Sequence, residues 1–143
     1  MKVEGSYEFG APRDRVWAVL LDPEALKSCI PGCESLSAIG EDQYEAVMKV
    51  GVAAIRGTYK GKVRITDKED LSRYKLLVEG SGGPGFVRGE ALVELVDGGE
   101  STQVNVHGDG QVGGTVAGVG QRMLGGVAKM LMGQFFECLK RQL

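Results

Sequence analysis

The sequence has little histidine and cysteine. Its single histidine, His107, excludes most histidine-based metal sites and hydrolase triads. Three cysteines are an odd number and too few for a disulfide framework, so we expect packed or partly exposed thiols. No apolar run reaches the ~18 residues of a membrane span, and the charged N-terminus lacks a signal-peptide core. These absences favour a cytoplasmic protein without a metal site, a catalytic constellation or a transmembrane segment.

The chain also has little excess charge. Its 17 basic and 19 acidic side chains give a net charge of −2, which excludes a basic nucleic-acid footprint as its main function. A length of 143 residues predicts one domain, over residues 1–143, that is large enough to bury a core. Glycine is abundant, with 23 residues, but an apolar share of 43% excludes a collagen-like or disordered chain.

An alternation of apolar and polar residues dominates the middle of the chain and predicts strands. It is clearest over residues 55–66, where apolar residues and glycines occupy every second position. Shorter runs of the same kind lie near residues 3–9, 34–39, 44–50, 74–78, 86–95 and 102–107. Short turn sequences separate them, which indicates antiparallel neighbours. We therefore predict about seven strands in one antiparallel sheet.

Helix signals lie at the two ends of the chain. Pro12 with Asp14, and then Asp22-Pro23-Glu24, are start signals for two short helices. Residues 115–142 carry apolar side chains at steps of three and four, which predicts one long helix. The order favours an α+β helix-grip architecture, in which a curved sheet wraps around the long C-terminal helix. Two short helices follow the first strand.

Several motifs have simpler interpretations than catalysis or cofactor binding. Residues 80–85 and 108–113 both match G-x-G-x-x-G, but a dinucleotide site needs a strand after the helix, and here the chain ends with the helix. We interpret both as tight turns or a flexible helix entry. Cys29 and Cys33 lack the further ligands of a zinc site. We therefore expect no catalytic residue, no metal and no cofactor.

A basic row on one predicted strand leaves two interpretations open. Arg56, Lys60, Lys62 and Arg64 share the polar face of the strand. They could meet anionic headgroups or an acidic partner. They could also be ordinary solvation of an outer face, or protection of an edge strand.

The inward face of the predicted sheet is the most informative feature. Tyrosine, methionine and valine alternate there with glycines, which make space rather than fill it. The predicted cavity-lining residues are Tyr44, Met48, Gly57, Tyr59, Val78, Val87, Met123, Val127 and Met130. The same composition also fits a loosely assembled core, so the pattern alone leaves a cavity and a closed core equally open.

The element order and several motifs resemble the helix-grip fold of the START/SRPBCC ligand-binding superfamily. Within it, the sequence resembles the carbon monoxide dehydrogenase G-subunit family. The segments that carry this resemblance are 5–9, 11–17, 21–23, 29–33, 57–63, 89–93 and 113–117, with Phe135-Phe136 in the last helix. The Ile-Pro-Gly-Cys stretch at 30–33 is the most specific of them.

The resemblance implies a non-catalytic accessory protein of a carbon monoxide dehydrogenase-type molybdenum hydroxylase. Its expected ligand is a hydrophobic small molecule, a quinone or lipid-like compound, whose carbonyl a tyrosine hydroxyl could hydrogen-bond. The alternative is a protein-interaction, assembly or membrane-recruitment factor with an incidental cavity, and a third possibility is a lyase or cyclase of the same superfamily. Longer family members end in an apolar tail that this sequence, ending at Leu143, is expected to lack. Contact with the membrane would then be peripheral, at its inner face.

Overall fold

The structure, a computed structural model, describes residues 1–52 and 55–143. In chain order the elements are β1 (Lys2–Phe9), α1 (Arg13–Leu20), α2 (Pro23–Cys29), β2 (Cys33–Gly40), β3 (Gln43–Val50), β4 (Gly57–Glu69), β5 (Arg73–Gly82), β6 (Gly85–Asp97), β7 (Thr102–Gly113), a 3-10 helix (Gly114–Val119) and α3 (Gln121–Lys140). The predicted order of strand, two short helices, six strands and a long helix is confirmed.

All the strands belong to one antiparallel sheet of seven strands in the order β1-β7-β6-β5-β4-β3-β2. The edges are β1 and β2, so the strands between them are paired on both sides. In the described part of the chain, α3 makes extended contact with β1, α2 and the 3-10 helix only. The predicted helix-grip architecture is therefore confirmed, with α3 seated towards the β1 side of the sheet.

The helix boundaries follow local capping chemistry. The Asp22 carboxylate accepts a hydrogen bond from the backbone N–H of Glu24 at 3.1 Å and caps α2, as its sequence predicts. The prediction of one helix over 115–142 is wrong in its first part. Gly120 has φ of +96°, a conformation that breaks a right-handed helix, so a short 3-10 helix precedes α3.

The two glycine motifs adopt different structures. Residues 80–85 span the end of β5, a tight turn and the start of β6, which confirms the turn interpretation. The interpretation of residues 108–113 as a turn or helix entry is wrong, because the whole segment lies in β7 and pairs with β6. Partners on the neighbouring strand hold these glycines extended, which their own sequence does not favour.

The tightest packing lies around the C-terminal half of α3. Phe136 stacks on Tyr7 with ring centroids 4.2 Å apart and meets Phe9 edge-on at 6.2 Å. Leu139 is fully buried beside them. The buried Thr102 hydroxyl donates to the Ala11 carbonyl at 2.9 Å, which satisfies a polar atom inside this core. We call this region, with α1 and α2 against it, the closed half.

A disulfide crosses the closed half. Cys29 at the end of α2 bonds to Cys138 near the end of α3, with their Cα atoms 5.3 Å apart. The expectation of free thiols is therefore wrong for these two, while Cys33 remains free and half-buried. The two residues are 109 positions apart, so spacing carried no signal of the bond.

We predict that the disulfide stabilises the closed half. Cross-linking residues 109 positions apart restricts the unfolded chain, so replacing both Cys29 and Cys138 by alanine should lower the free energy of unfolding by about 2–5 kcal/mol. Urea denaturation measures this, and Cys33→Ala is the matched control, expected to change stability far less. Wild-type protein with an unchanged urea midpoint in the presence of reductant would contradict the prediction.

Candidate ligand-binding cavity

The side of the sheet that faces α3 is built from alternate residues of every strand. Strand register places Val63 between Tyr44 on β3 and Val78 on β5, and Val78 opposite Gly89 on β6. The stacking of Tyr7 on Phe136 shows that this is the helix side of the sheet. We call it the concave face.

Burial on the concave face falls steeply from one end to the other. Ile65, Tyr74 and Val93 lie in the closed half with at most 5% of their surface exposed. Val78 shares their face, yet 37% of its surface is exposed. Among the predicted cavity residues, Tyr44 is buried, whereas Met48, Gly57, Tyr59 and Val87 are half-buried. The concave face therefore has an uncovered part beyond the closed half, which we call the open half.

Glycines widen the open half. Gly80 lies on β5 between Gly61 on β4 and Val87 on β6. A side chain at Gly80 would meet its nearest atom, the Lys60 carbonyl oxygen, only at 3.7 Å, an ordinary contact distance, so there is room above it. Gly61 instead permits close approach of strands, because a Cβ there would lie 2.5 Å from the Glu79 carbonyl oxygen.

Gly57 does not make the space that its sequence position suggested. A Cβ at Gly57 would lie 2.9 Å from Cγ of Pro84, so this glycine packs against the β5–β6 turn. The absence of a side chain at Gly57 allows this close contact with Pro84. The prediction that Gly57 opens the cavity is therefore wrong.

The tyrosines of the concave face have separate roles. The Tyr59 hydroxyl donates to the Ile55 carbonyl at 2.7 Å and ties the β3–β4 connection to the sheet. Burial raises the pKa of Tyr59, and raises that of Tyr74 much further. Tyr74, against which Trp17 packs edge-on, therefore stays neutral and able to donate a hydrogen bond. The hydroxyl nearest the entrance, on Tyr59, already has a protein acceptor.

The helix side of the predicted site needs correction. Met123 and Met130 are 56% and 45% exposed. Met130 precedes the fully buried Leu139 by nine residues, which at 3.6 residues per turn puts them on opposite sides of α3. The prediction that these methionines face the sheet is therefore wrong. Val127 is half-buried, and Leu124, which is buried, is the helix residue that the predicted site omitted.

This error has a simple cause. Apolar side chains surround much of α3. More than one face of the helix therefore shows apolar residues at spacings of three and four, and the spacing does not identify the buried face. The stripe that is buried passes through Leu124, Phe136 and Leu139, and the chosen stripe lies beside and behind it.

Depressions also occur outside the concave face. Two furrows of about 480 and 650 Å³ lie on the outer face of the sheet. Charged side chains such as Lys62, Glu79 and Arg88 and apolar ones such as Val47, Leu77 and Phe86 line them. A third, of about 590 Å³, lies beside Gly32, Lys49 and Arg56. The first furrow shares Gly61, Gly80 and Val87 with the open half, and the second shares Val78. No residue of α3 lines any of the three.

The basic row of β4 is not at an edge. β4 is paired on both sides, and register sets Lys62 between Glu45 and Glu79, with Arg88 beyond Glu79. Charges therefore alternate in sign along this one row of four strands, whereas Lys60 lies between Val47 and Ser81 and Arg64 between Gln43 and Leu77. This arrangement favours ordinary solvation of the face over a concentrated anion-binding site.

Two further properties bear on the chemistry of the chain. Among residues 1–52 and 55–143, His, Cys, Asp and Glu form no group of three or more that could hold a metal ion. Within the same residues, α3 and the other helices are each too short or too polar to cross a membrane.

We predict that Tyr74 makes the fold sensitive to alkaline pH. An unfolded tyrosine ionises near its ordinary pKa of 10, whereas burial holds the folded Tyr74 protonated to higher pH. Above pH 10 the unfolded chain therefore binds fewer protons, and the free energy of unfolding should fall, by at most ~1.4 kcal/mol per pH unit from this group. Below pH 10, Tyr74 should contribute no slope.

Urea denaturation of wild type and Tyr74→Phe across the alkaline range measures this effect. The variant should lose stability less steeply with rising pH. Tyr59→Phe, at a less buried tyrosine, is the control and should retain most of the wild-type slope. Equal slopes in wild type and Tyr74→Phe would contradict the assignment.

Comparisons with known proteins come from the sequence and from the fold. The family of the carbon monoxide dehydrogenase G subunit (CoxG) matches residues 5–143. Among solved structures, a conserved protein from Geobacillus kaustophilus is 44% identical, with a TM-score of 0.97 and coverage of 99% of this chain and 94% of that one. A search of curated proteins finds no match.

More distant structures share the fold. A START superfamily protein from Mycobacterium smegmatis is 14% identical with a TM-score of 0.77, covering 99% of this chain and 95% of its own. An aromatase/cyclase from Streptomyces sp. R1128 is 17% identical with a TM-score of 0.70, covering 99% and 92%. At these identities the likeness establishes the START-type fold alone, and the fold accommodates enzymes as well as other proteins.

Proposed function

The chain belongs to the carbon monoxide dehydrogenase G-subunit (CoxG) family, and we propose that it is a non-catalytic accessory protein that binds a hydrophobic ligand in the open half. The proposed ligand is a quinone, and the proposed partner is a molybdenum hydroxylase of the carbon monoxide dehydrogenase type. Family membership supports an accessory role. The quinone and the partner enzyme are the finer parts of the proposal.

One observation carries the proposal. Val78 lies on the same face as the tightly packed Tyr44 and Tyr74, but 37% of its surface is exposed. An apolar side chain on the inside of a curved sheet costs free energy when it is left in water, and a bound apolar ligand removes that cost. Half-buried Met48 and Val87 share this side of the sheet and extend the apolar surface.

The chemistry of this surface suits a ring with an apolar chain. Around the open half, the charged residues of β3–β6 fall on the outer face, as Glu45, Lys62, Glu79 and Arg88 do. A neutral ligand is therefore favoured over an ionic one.

The estimated free energy of binding favours a ligand that is bound and then released. Burying about ten methylene equivalents contributes ~8 kcal/mol, while association costs at least ~4 kcal/mol. A quinone ring alone would then bind weakly, and a ring with part of an isoprenoid chain would approach micromolar affinity. Such affinity fits a carrier that passes its ligand on.

We predict that filling the open half blocks ligand uptake. In Gly80→Leu a side chain would occupy the space above Gly80, whose nearest protein atom lies 3.7 Å from the new Cβ. Quinone affinity should fall at least about tenfold, the equivalent of ~1.4 kcal/mol. Titration with a short-chain quinone, followed by quenching of tyrosine and tryptophan fluorescence, measures it.

Ser81→Leu is the matched control, because it adds the same side chain to the next residue of β5 on the outer face. It should leave affinity unchanged. Equal affinity in both variants would place the ligand elsewhere. Absence of binding by wild type would favour the alternative of an interaction or assembly factor, and chemical turnover of a ligand would favour an enzyme of the lyase or cyclase kind.

A further inference from the structure

We propose that the disulfide between Cys29 and Cys138 is a redox-sensitive switch that sets how closely α3 is held to the β2–β3 side of the sheet. While the bond is intact, α2 ties α3 to that side. When a dithiol reduces the bond, α2 is released and the open half widens between α3 and β3. The switch concerns the protein alone, and only its effect on ligand exchange rests on the proposed function.

The helix α3 reaches the β2–β3 side of the sheet through α2. Within the described residues, the extended contacts of α3 are with β1, α2 and the 3-10 helix, whereas those of α2 are with α1, β2 and α3. α2 therefore lies between α3 and that edge of the sheet. The position of α3 relative to β2 and β3 depends on how firmly α2 is attached on both of its sides.

The attachment of α2 to the sheet is rigid. α2 ends at Cys29, and residues 30–32 connect it to β2. In this connection the Gly32 carbonyl accepts a hydrogen bond from the Lys49 N–H of β3 at 2.8 Å. Gly32 has φ of +74°, and a Cβ there would collide with the Lys49 carbonyl oxygen, so the two backbones touch. Lys49 follows Met48, which is half-buried in the open half. The end of α2 that carries the disulfide is therefore coupled to the wall of the open half.

The attachment of α2 to α3 depends on the disulfide. α2 has seven residues, and so short a helix is not stable without tertiary packing. Its buried residues are Ala25, Leu26 and Cys29, and of these Leu26 carries the largest apolar side chain. Because this apolar contact is small, the bond to Cys138 is the main attachment between the two helices.

One sulfur of the bond is accessible to a reductant. Cys138 is half-buried, whereas Cys29 is 4% exposed, so a thiolate of an external dithiol reaches Cys138 Sγ first. Its attack breaks the S–S bond, forms a mixed disulfide with Cys138 and expels Cys29 as a thiolate, which takes up a proton. The second thiol of the reagent then displaces Cys138, which is protonated in turn. The products are two protein thiols and the oxidised form of the dithiol.

The other anchors of α3 remain after reduction. Phe136 stacks on Tyr7 of β1 with ring centroids 4.2 Å apart, and Leu139 is fully buried. α3 therefore stays attached along β1 and moves away from β2 and β3, which lie at the opposite edge of the sheet. The fold persists while the open half widens, and a wider groove holds an apolar ligand less tightly.

Hydrogen exchange of the protein without ligand, followed by mass spectrometry, tests the switch. Loss of the bond lowers global stability and so speeds exchange throughout the fold, but local release of α2 speeds exchange in residues 23–33 further. On treatment with dithiothreitol, exchange in 23–33 should accelerate at least about tenfold more than exchange in the β6–β7 pair. Equal acceleration in both segments, or none in either, would overturn the proposal, because the bond would then act on the fold as a whole or not at all.

The cysteines supply matched controls. Cys33→Ala removes the third thiol and keeps the bond, so it should respond to dithiothreitol like wild type. Cys29→Ala/Cys138→Ala should show fast exchange in 23–33 without any reductant and should not respond to one. A response of this double variant to the reductant would contradict the assignment. Reduced wild type carries the same test if the double variant folds poorly.

Release of a neutral apolar dye measures the effect on the open half. Nile red serves here, because dithiothreitol would reduce a quinone. Its dissociation, followed by stopped-flow fluorescence, should become about tenfold faster when the bond is reduced, since affinity differences lie mostly in the dissociation rate. Unchanged release would overturn the widening of the open half. Failure of oxidised wild type to bind the dye, with the exchange response intact, would instead count against the proposed function and leave the switch standing.

Discussion

The anchoring of α3 at its C-terminal end is the constraint on which the rest of the structure depends. Phe136 stacks on Tyr7 and meets Phe9, and the bond between Cys29 and Cys138 fixes the same region to α2. These contacts all lie in the last third of the helix. The N-terminal part of α3 is held instead through a 3-10 helix that ends at Val119. One sheet therefore supports a packed core at one end and an uncovered apolar face at the other.

The glycines of the sheet follow from the same division. In the open half, Gly61 on β4 lies directly opposite Gly80 on β5. The equivalent pair of positions further along the same two strands, in the closed half, carries side chains instead. Glycine in a strand weakens it through entropy and lost packing, so both positions reduce local stability. Gly80 leaves room on the concave face, whereas Gly61 lets the strands approach closely. The paired strands on both sides, and the anchored core beyond, hold the weakened region in place. An uncovered apolar face of this kind costs stability that the closed half can supply.

The sequence carries enough information for the fold but less for the site. Alternation in β4 and the capping pattern at Asp22 depend on local physics, so they predict the sheet and α2 correctly. Met123 and Met130 could not be placed, because helical periodicity selects a face only when the other faces are polar. The bond from Cys29 to Cys138 depends on two elements meeting in space, which residue spacing does not encode. The strand at 108–113 is likewise determined by pairing with β6.

The gradients of packing and charge run in the same direction along the molecule. Packing loosens from the core around Leu139 towards the exposed Met123, and charge changes from the acidic turns at 41–42, 67–72 and 97–101 to the end that carries Arg56 and Arg122. Neither gradient needs the other for folding, because the outer-face charges alternate and contribute little to the core. Their coincidence matters for access: the uncovered apolar face lies beside the end with exposed apolar and cationic residues. A hydrophobic ligand that entered from the acidic end would have to displace buried side chains such as Tyr74 and Val93. Entry at the other end avoids those side chains and meets the 3-10 helix, which is held by the buried Val116 and its hydrogen bond to Pro84.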